Sequence, residues 1–401
     1  MSTTYWPGDH RAGELMSDAA FLQAMIAVEQ AWVTALAHRG VAPAAVDLAS
    51  VAVDEEQLAV EAEAEGNPVV PLVRRLRAGT GGPASDWVHR GLTSQDVVDT
   101  ALVLSAREAV SVIRAEVRVQ VDILAGLAER HDRDPMLART LTQPAAPSTV
   151  GLKIAGWLHG LLDADQQLAE LRWPLQLGGA AGTLAAIVEL AGRGTALELQ
   201  ADLAQLLGLE SSAPWHTRRT TMTRLGDAAA TATQAWGRVA NDVLVLGRAE
   251  VREMRDGSAG GSSSMPHKAN PTLALLVRRA AILAPHLAAA LHSAAAEQVD
   301  ERADGAWHTE WWPLAQLLRQ TAVAASQATD LVRGLVIDTD RAAGRLADVE
   351  AEVRAEQRTI ADLAGRDQRS TYEGLAHELV AEALERARTY RAAIAKQEEI
   401  R

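Results

Sequence analysis

Apolar residues recur at alternating three- and four-residue steps over long stretches of this chain, and that spacing limits the fold more than any other feature. One series steps by 4, 3, 4, 3, 4 and 3 residues through Leu225, Ala229, Ala232, Trp236, Val239, Val243 and Leu246. Such a series is the seam of a helix that packs against other helices. A helix over roughly 220–254 would be about 50 Å long, so it needs other long helices beside it.

A second seam predicts another long helix, which begins near Thr93 and ends near His131. Its apolar positions run from Val103 to Leu127, and Gln120 is the one polar residue within the series. The chain is 48% hydrophobic but only 3% aromatic, and no convincing strand of period two occurs. This balance suits closely packed helices better than β-sandwiches. We therefore predict an all-α fold.

The spacing of helices and loops predicts three domains. An N-terminal helical domain would cover 1–98, a central bundle of long helices 99–345, and a small, charged helical domain 346–401. Ends of helices in one straight bundle lie tens of ångströms apart, whereas subunits that run in opposite directions bring different ends together. A homo-oligomer with shared sites is the consequence we expect.

Composition excludes several classes of function. A formal net charge of −13 argues against a nucleic-acid surface. The absence of cysteine excludes disulfides and thiolate metal sites. No metal-binding motif is present, and we expect neither a metal nor a cofactor. The N-terminus lacks the order of a signal sequence and no run of 18 apolar residues occurs, so we expect a cytoplasmic protein without a membrane partner.

Three polar clusters lie at the ends of the predicted long helices. In the first, 89–96, Thr93 or Ser94 can cap a helix, so the cluster is either a cap beside a surface histidine, His89, or part of a site. In the second, 139–143, Arg139 and Gln143 stand in a proline-rich loop. They either grip a carboxylate or cap helix ends.

The third cluster, 260–271, begins as a Gly/Ser tract and stiffens at two prolines. Its serine hydroxyls stand near a cation, Lys268, and an amide, Asn270. This combination suits proton transfer beside a developing negative charge. A flexible surface linker is the alternative.

The order Gly261-Ser262-Ser263-Ser264-Met265-Pro266-His267-Lys268-Ala269-Asn270-Pro271 resembles the signature of the fumarase/aspartase superfamily at every fixed position. The clusters 89–96 and 139–149 resemble the other two regions shared within that superfamily. The chain is most similar there to bacterial 3-carboxy-cis,cis-muconate cycloisomerases. That likeness rests on the stretches 66–72, 93–96, 175–183, 214–217 and 306–311.

The resemblance implies a three-domain all-α fold, a tetramer around long central helices, and active sites built from three subunits. It implies chemistry at a carbon next to a carboxylate, through an aci-carboxylate dianion. Ser262 would be the base, or the proton donor in the lactonising direction, and Lys268 and Asn270 would stabilise the dianion. The further site residues that it implies are His89, Thr93, Ser94, Arg139, Gln143, Arg219 and Ser263. The partner would be a small anionic polycarboxylate.

The chain departs from the family pattern at three places. Leu141 and Pro144 stand where relatives carry a histidine after the arginine or after the glutamine, and Asp300-Glu301-Arg302 replaces His-Glu-Arg. Loss of both loop histidines removes the acid that would protonate a poor leaving group. An amine needs that acid, whereas a carboxylate or nitrite scarcely does.

Three functions follow for testing. The first is lactonisation of 3-carboxy-cis,cis-muconate. The second is a β-elimination that releases fumarate from a substituted succinate, such as nitrosuccinate or a hydrazino or amino adduct. The third is a non-catalytic helical scaffold, against which the intact serine, lysine and asparagine of the third cluster argue.

Overall fold

The fold is all-α in class, as predicted, with a few short strands. The computed structural model describes residues 3–261, 263–265 and 267–399. Its α-helices are Asp18–His38 (α1), Glu55–Glu65 (α2), Val69–Thr80 (α3), Ser94–Arg130 (α4), Val150–Ala169 (α5), Ala185–Ala191 (α6), Arg193–Leu207 (α7), Thr220–Leu246 (α8), Thr272–Ala296 (α9), Ala306–Arg333 (α10), Thr339–Ala347 (α11), Glu350–Val353 (α12), Ala355–Leu363 (α13) and Ala376–Glu399 (α14). Two short 3-10 helices cover Asp9–Ala12 and Pro83–Trp87.

The strands form three antiparallel pairs. They are Pro135–Thr140 (β1), Gln143–Thr149 (β2), Met254–Arg255 (β3), Ala259–Gly260 (β4), Asn270–Pro271 (β5) and Val336–Ile337 (β6). β1 pairs with β2, β3 with β6 and β4 with β5. The last pair closes the third polar cluster into a hairpin.

Packing divides the chain into two compact units. The first unit combines Met1–Val112, Glu170–Ala230 and Ala284–Ala322. The second unit combines Ile113–Ala169, Thr231–Leu283 and Val323–Arg401. Four of the five boundaries fall inside α4, α8, α9 and α10, and the fifth follows the end of α5. Each unit therefore collects segments that are distant in sequence. The division into 1–98, 99–345 and 346–401 stays a prediction.

The first unit is held by an apolar face of α1 and by a buried ion pair. Trp32 and Leu36 of α1 are fully buried, and burial of each contributes about 1.5–3 kcal/mol. Ser17 caps this helix by accepting the backbone N–H of Ala20 at 3.1 Å. Arg319 of α10 donates to both carboxylate oxygens of Asp9 at 2.8 Å. The N-terminal 3-10 helix is thereby tied to α10.

The polar residue within the second predicted seam is fully satisfied in the second unit. Gln120 of α4 is buried and donates to the carbonyl of Ala325 and the hydroxyl of Thr329, both at 2.9 Å. Its amide oxygen accepts the indole N–H of Trp236 at 2.7 Å. An unpaired buried amide would cost about 1–3 kcal/mol. These bonds therefore fix the register of α4 against α8 and α10.

The β1–β2 hairpin was not predicted from the sequence, which indicated only a proline-rich loop there. Its register runs from Pro135 opposite Thr149 to Thr140 opposite Gln143, with one irregularity after Ala138. Prolines normally exclude a strand because they lack an N–H donor. An isolated pair of strands has two free edges, however, where that donor is not needed.

The turn of this hairpin is strained and predicts a stabilising substitution. Leu141 and Thr142 both have positive φ, 47° and 71°, as in turns that favour Asn-Gly. A β-branched residue is disfavoured in that conformation. Thr142→Gly is therefore expected to stabilise the chain by about 1 kcal/mol, measured as a higher urea midpoint. As a control, Thr140→Gly within β1 should destabilise it by about 0.5–1 kcal/mol. A lower midpoint for Thr142→Gly would contradict the strained geometry.

Two helices, α1 and α9, are long and apolar enough to cross a membrane by length and composition. This is a weak indication, because buried core helices of soluble proteins pass the same test. Most of the apolar window of α1 is in fact buried inside the protein. The α9 helix exposes more, including Leu275 and Ile282.

Candidate functional site

The first group of site candidates surrounds the start of α4 in the first unit. The Asp96 carboxylate accepts the backbone N–H of Thr93 at 3.0 Å, which completes the helix start that the sequence predicts. The Thr93 hydroxyl accepts a hydrogen bond from Nη1 of Arg302 at 2.8 Å. Ser94 is the first residue of α4. Asp96 therefore does the capping, while the Thr93 side chain contacts an arginine.

Arg302 is a candidate that the sequence analysis did not include. Its guanidinium lies over the ring of Trp307, with 5.3 Å to the centroid, and it orients Thr93. Burial lowers the pKa of Arg302 below its usual range, against the raising effect of Asp96 and Asp99. Asp300 departs from the family's His-Glu-Arg pattern, but Arg302 matches its third position, and that match was the signal that could have found it.

His89 lies just before α4 in a left-handed backbone conformation, with a φ of 62°. Its Nδ1 is 2.6 Å from Oε1 of Glu29, which belongs to α1 and is fully buried. The imidazole keeps 18% of its surface exposed. Glu29 was missed because it stands sixty residues earlier, among the apolar residues of a buried helix face. A lone acid on such a face was the signal.

A buried network of hydrogen bonds holds the start of α4 in place. Asp96 accepts the backbone N–H of Gly178 at 2.9 Å and the side-chain N–H of Gln176 at 3.1 Å. Nε2 of Gln176 also lies 3.0 Å from Nε2 of His216. A Cβ on Gly178 would come within 2.3 Å of the His216 ring, so only glycine fits there. The turn after α5 is thus fixed against the start of α4.

The predicted substrate contact at Arg219 is not supported. Its guanidinium is fully buried and donates to Asp99 at 2.7 and 2.9 Å and to Glu310 at 2.6 and 3.0 Å. Burial works against the charge of Arg219, but these two carboxylates raise its pKa above the usual range. Burial raises the pKa of Glu310, while hydrogen bonds from Arg219 lower it less. The arginine neutralises two buried acids of its own chain, so a substrate carboxylate finds its nitrogens already engaged.

The second group of candidates belongs to the second unit, and its arginine is also engaged. Both Nη atoms of Arg139 donate to the buried carboxylate of Glu253, one of them at 3.0 Å. The sequence left two roles open for Arg139, binding a carboxylate or capping a helix end. The side chain does bind a carboxylate, but that carboxylate is Glu253 of the same chain. Burial lowers the pKa of nearby Lys153, against the raising effect of Asp242 at 3.9 Å.

The hairpin tip next to Arg139 is exposed and uncharged. Leu141 is 95% exposed, and Gln143 is exposed with its amide 3.3 Å from the Thr142 hydroxyl. Pro144 lies in β2, opposite Arg139. The tip, residues 141–144, therefore carries no histidine or carboxyl group that could act as the acid for a leaving group.

The third polar cluster emerges from the β4–β5 pair. Ser262, the predicted base, lies outside the described residues. Ser263 and Lys268 are exposed, and the Asn270 amide donates to the carbonyl of Gly261 at 3.1 Å across the hairpin. A Cβ on Gly260 would come within 2.0 Å of the Thr272 hydroxyl, so the loop needs glycine where it leaves the pair.

Two separate groups of predicted residues result. His89, Thr93, Ser94 and Arg219 lie in the first unit. Arg139, Gln143, Ser263, Lys268 and Asn270 lie in the second. Within the described ranges, no group of three or more His, Asp or Glu side chains could hold a metal ion.

Known proteins resemble this chain over most of its length. A family model described as lyase matches residues 14–283. Nitrosuccinate lyase of Streptomyces davaonensis is 42% identical over 344 residues, which is 81% of this chain and 72% of that protein. The 3-carboxy-cis,cis-muconate cycloisomerase of Pseudomonas aeruginosa is 37% identical over 399 residues, which is 96% of this chain and 85% of that protein.

A solved structure also resembles this fold over nearly the whole chain. The crystal structure of the 3-carboxy-cis,cis-muconate lactonizing enzyme from Pseudomonas putida superposes with a TM-score of 0.85 at 30% identity. The match covers 95% of this chain and 97% of the other. Together with the intact signature over 261–271, these likenesses show that the chain is an enzyme of the fumarase/aspartase superfamily, close to its 3-carboxy-cis,cis-muconate cycloisomerases.

Proposed function

We propose that this enzyme lactonises 3-carboxy-cis,cis-muconate. The carrying observation is the exposed hairpin tip, where Leu141 and Pro144 stand in place of the loop histidines of relatives. In lactonisation the group that adds to the double bond, or leaves in the reverse direction, is a carboxylate. A carboxylate is a weak base with a pKa near 4, so it departs or attacks as the anion without a proton donor. The tip fits that leaving group and does not fit an amine.

The proton transfer at carbon belongs to the loop of the third polar cluster. By position in the signature, Ser262 gives the proton to the carbon next to a carboxylate, or takes it in the reverse direction. Lys268 and Asn270 stabilise the negative charge that develops on that carboxylate. The remaining carboxylate oxygens of the substrate are bound by Ser263, Thr93, Ser94 and Gln143. His89 lies beside the reacting group. This chemistry uses side chains of the protein and calls for no cofactor.

Release of nitrite and fumarate from nitrosuccinate is the second candidate. The 42% identity to a nitrosuccinate lyase favours it. Nitrite is also a weak base that leaves without protonation, so the tip at Leu141 is equally compatible with it.

One pair of assays separates the two functions. With 3-carboxy-cis,cis-muconate, the proposed function predicts loss of its ultraviolet absorbance in proportion to enzyme concentration. With nitrosuccinate, the second candidate predicts equal amounts of nitrite and fumarate. Absence of turnover on carboxymuconate at high enzyme concentration, with turnover of nitrosuccinate, would replace the first function by the second.

The proposal includes a cytoplasmic homotetramer whose active sites combine residues of several chains. Support comes from the superfamily signature over 261–271, because that resemblance implies active sites built from several subunits. It also comes from exposed apolar side chains on the long helices of the second unit, among them Leu275, Ile282 and Val245. Such side chains are typical of surfaces that another subunit covers. Sedimentation as a particle of four chains is the expected result.

A further inference from the structure

Glu29 and His89 form a close polar contact inside the first unit. Oε1 of Glu29 lies 2.6 Å from Nδ1 of His89, and the carboxylate is fully buried. The other oxygen, Oε2, is also buried and has no hydrogen-bond partner among the described residues. A carboxylate buried for structural reasons normally has several donors. This one has the imidazole.

The same contact is costly for the fold. A buried acceptor without a partner costs about 1–3 kcal/mol. The left-handed φ of His89, 62°, costs a further amount on the order of 1–3 kcal/mol. An apolar side chain in place of Glu29 would remove the first cost. Costs of this kind persist where the arrangement serves the chemistry of a site.

The chemistry of the two groups decides what the contact does. An ionised carboxylate can only accept hydrogen bonds, so Nδ1 of His89 must be the nitrogen that carries the proton. The other ring nitrogen, Nε2, is then the one left for a ligand, and the imidazole is 18% exposed. Carboxylates that orient a histidine in this way set both its tautomer and its ring plane.

We propose that Glu29 is the positioning residue for His89, which it holds in the form that presents Nε2 to the substrate. The inference rests on the proposed function, because it assigns the ring atom that meets the polycarboxylate. It also gives His89 a specific place in a chain that lacks both loop histidines, at Leu141 and Pro144. His89 contacts the substrate, and Glu29 acts through it.

The test compares Glu29→Gln, Glu29→Asp and wild type as full-length chains. Glu29→Gln keeps the shape but offers an amide, so kcat should fall by about 10- to 100-fold. KM should change much less, and Glu29→Asp should recover part of kcat. Because the buried charge is removed, the melting temperature of Glu29→Gln should equal or exceed that of wild type. A fall in melting temperature that parallels the loss of kcat, or an unchanged kcat, would overturn the proposal.

A second readout does not depend on turnover. Hydrogen–deuterium exchange at Cε1 of each histidine can be followed by mass spectrometry, and it proceeds through the protonated ring. The ring loses the carboxylate that holds Nδ1 when Glu29 is replaced, so the exchange rate at His89 should change about tenfold in Glu29→Gln. If wild type does not turn over carboxymuconate, the proposed function fails, but this exchange still tests the hold of Glu29 on His89. Unchanged exchange at His89 in Glu29→Gln would overturn the role of Glu29 as its positioning residue.

The chain offers a matched control for both readouts. Nδ1 of His131 lies 2.6 Å from Oδ2 of Asp134, the same distance as in the proposed pair, but this contact is outside the proposed site. Asp134→Asn should change the exchange rate at His131 and leave kcat within about twofold of wild type. A loss of kcat in Asp134→Asn as large as in Glu29→Gln would show that breaking any such contact impairs the enzyme, and would overturn the specific role of Glu29.

Discussion

Replacing Ser262 by alanine is expected to lower kcat by at least about a hundredfold, because in the proposed mechanism Ser262 is the group that exchanges a proton with carbon. KM should change little, since the carboxylate contacts at Lys268 and Asn270 remain. The measurement is steady-state turnover of the substrate that wild type accepts.

Ser264→Ala is the matched control for this prediction. It removes a hydroxyl from the same loop, two residues further along, at the position that the superfamily signature leaves variable. Its kcat should stay within about threefold of wild type. If Ser262→Ala and Ser264→Ala behaved alike, the assignment of the proton to Ser262 would be wrong.

Arg219→Met is expected to destabilise the chain by about 3–5 kcal/mol. The substitution leaves the carboxylates of Asp99 and Glu310 buried together without a cation, and loss of one partner from a buried pair has about this cost. Unfolding in urea, monitored by circular dichroism, measures the effect as a lower midpoint.

Arg172→Met provides the comparison for that result. Arg172 belongs to the same unit and pairs with Glu210, but its side chain is 73% exposed. Loss of an exposed pair costs about 0–1 kcal/mol. If Arg219→Met unfolded like wild type but raised KM strongly, Arg219 would be the substrate contact that the sequence predicted, and its structural role would be wrong.

The helices could be predicted from the sequence because their signal is local. The seams that contain Gln120 and Trp236 lie in α4 and α8. The predicted helix over 220–254 ends earlier, at Leu246, because Gly247 begins a turn that leads into β3. The β1–β2 hairpin was missed because prolines, which lack an N–H donor, normally argue against strands. In an isolated pair of strands, prolines can occupy the free edges, where that donor is not needed.

The site was harder to predict because its partners are distant in sequence. His89 and the residues near Thr93 are predicted as site residues through their motif, and that assignment stays a prediction. Nothing near Arg139 or Arg219 in the sequence shows that their charges are already matched, since Glu253 and Glu310 stand about a hundred residues away. For the same reason the sequence did not reveal Glu29 behind His89. Motifs locate chemical groups, but only packing shows which groups a substrate can reach.

Turnover of 3-carboxy-cis,cis-muconate in deuterium oxide tests the central claim most directly. The claim is that the enzyme exchanges a proton with the carbon next to a carboxylate, through Ser262. The lactone formed by wild type should carry one deuterium at that carbon, seen by mass spectrometry and proton NMR, and Ser262→Ala should form no product above the uncatalysed rate. Enzymatic product without deuterium at that carbon, or undiminished labelled product from Ser262→Ala, would contradict it.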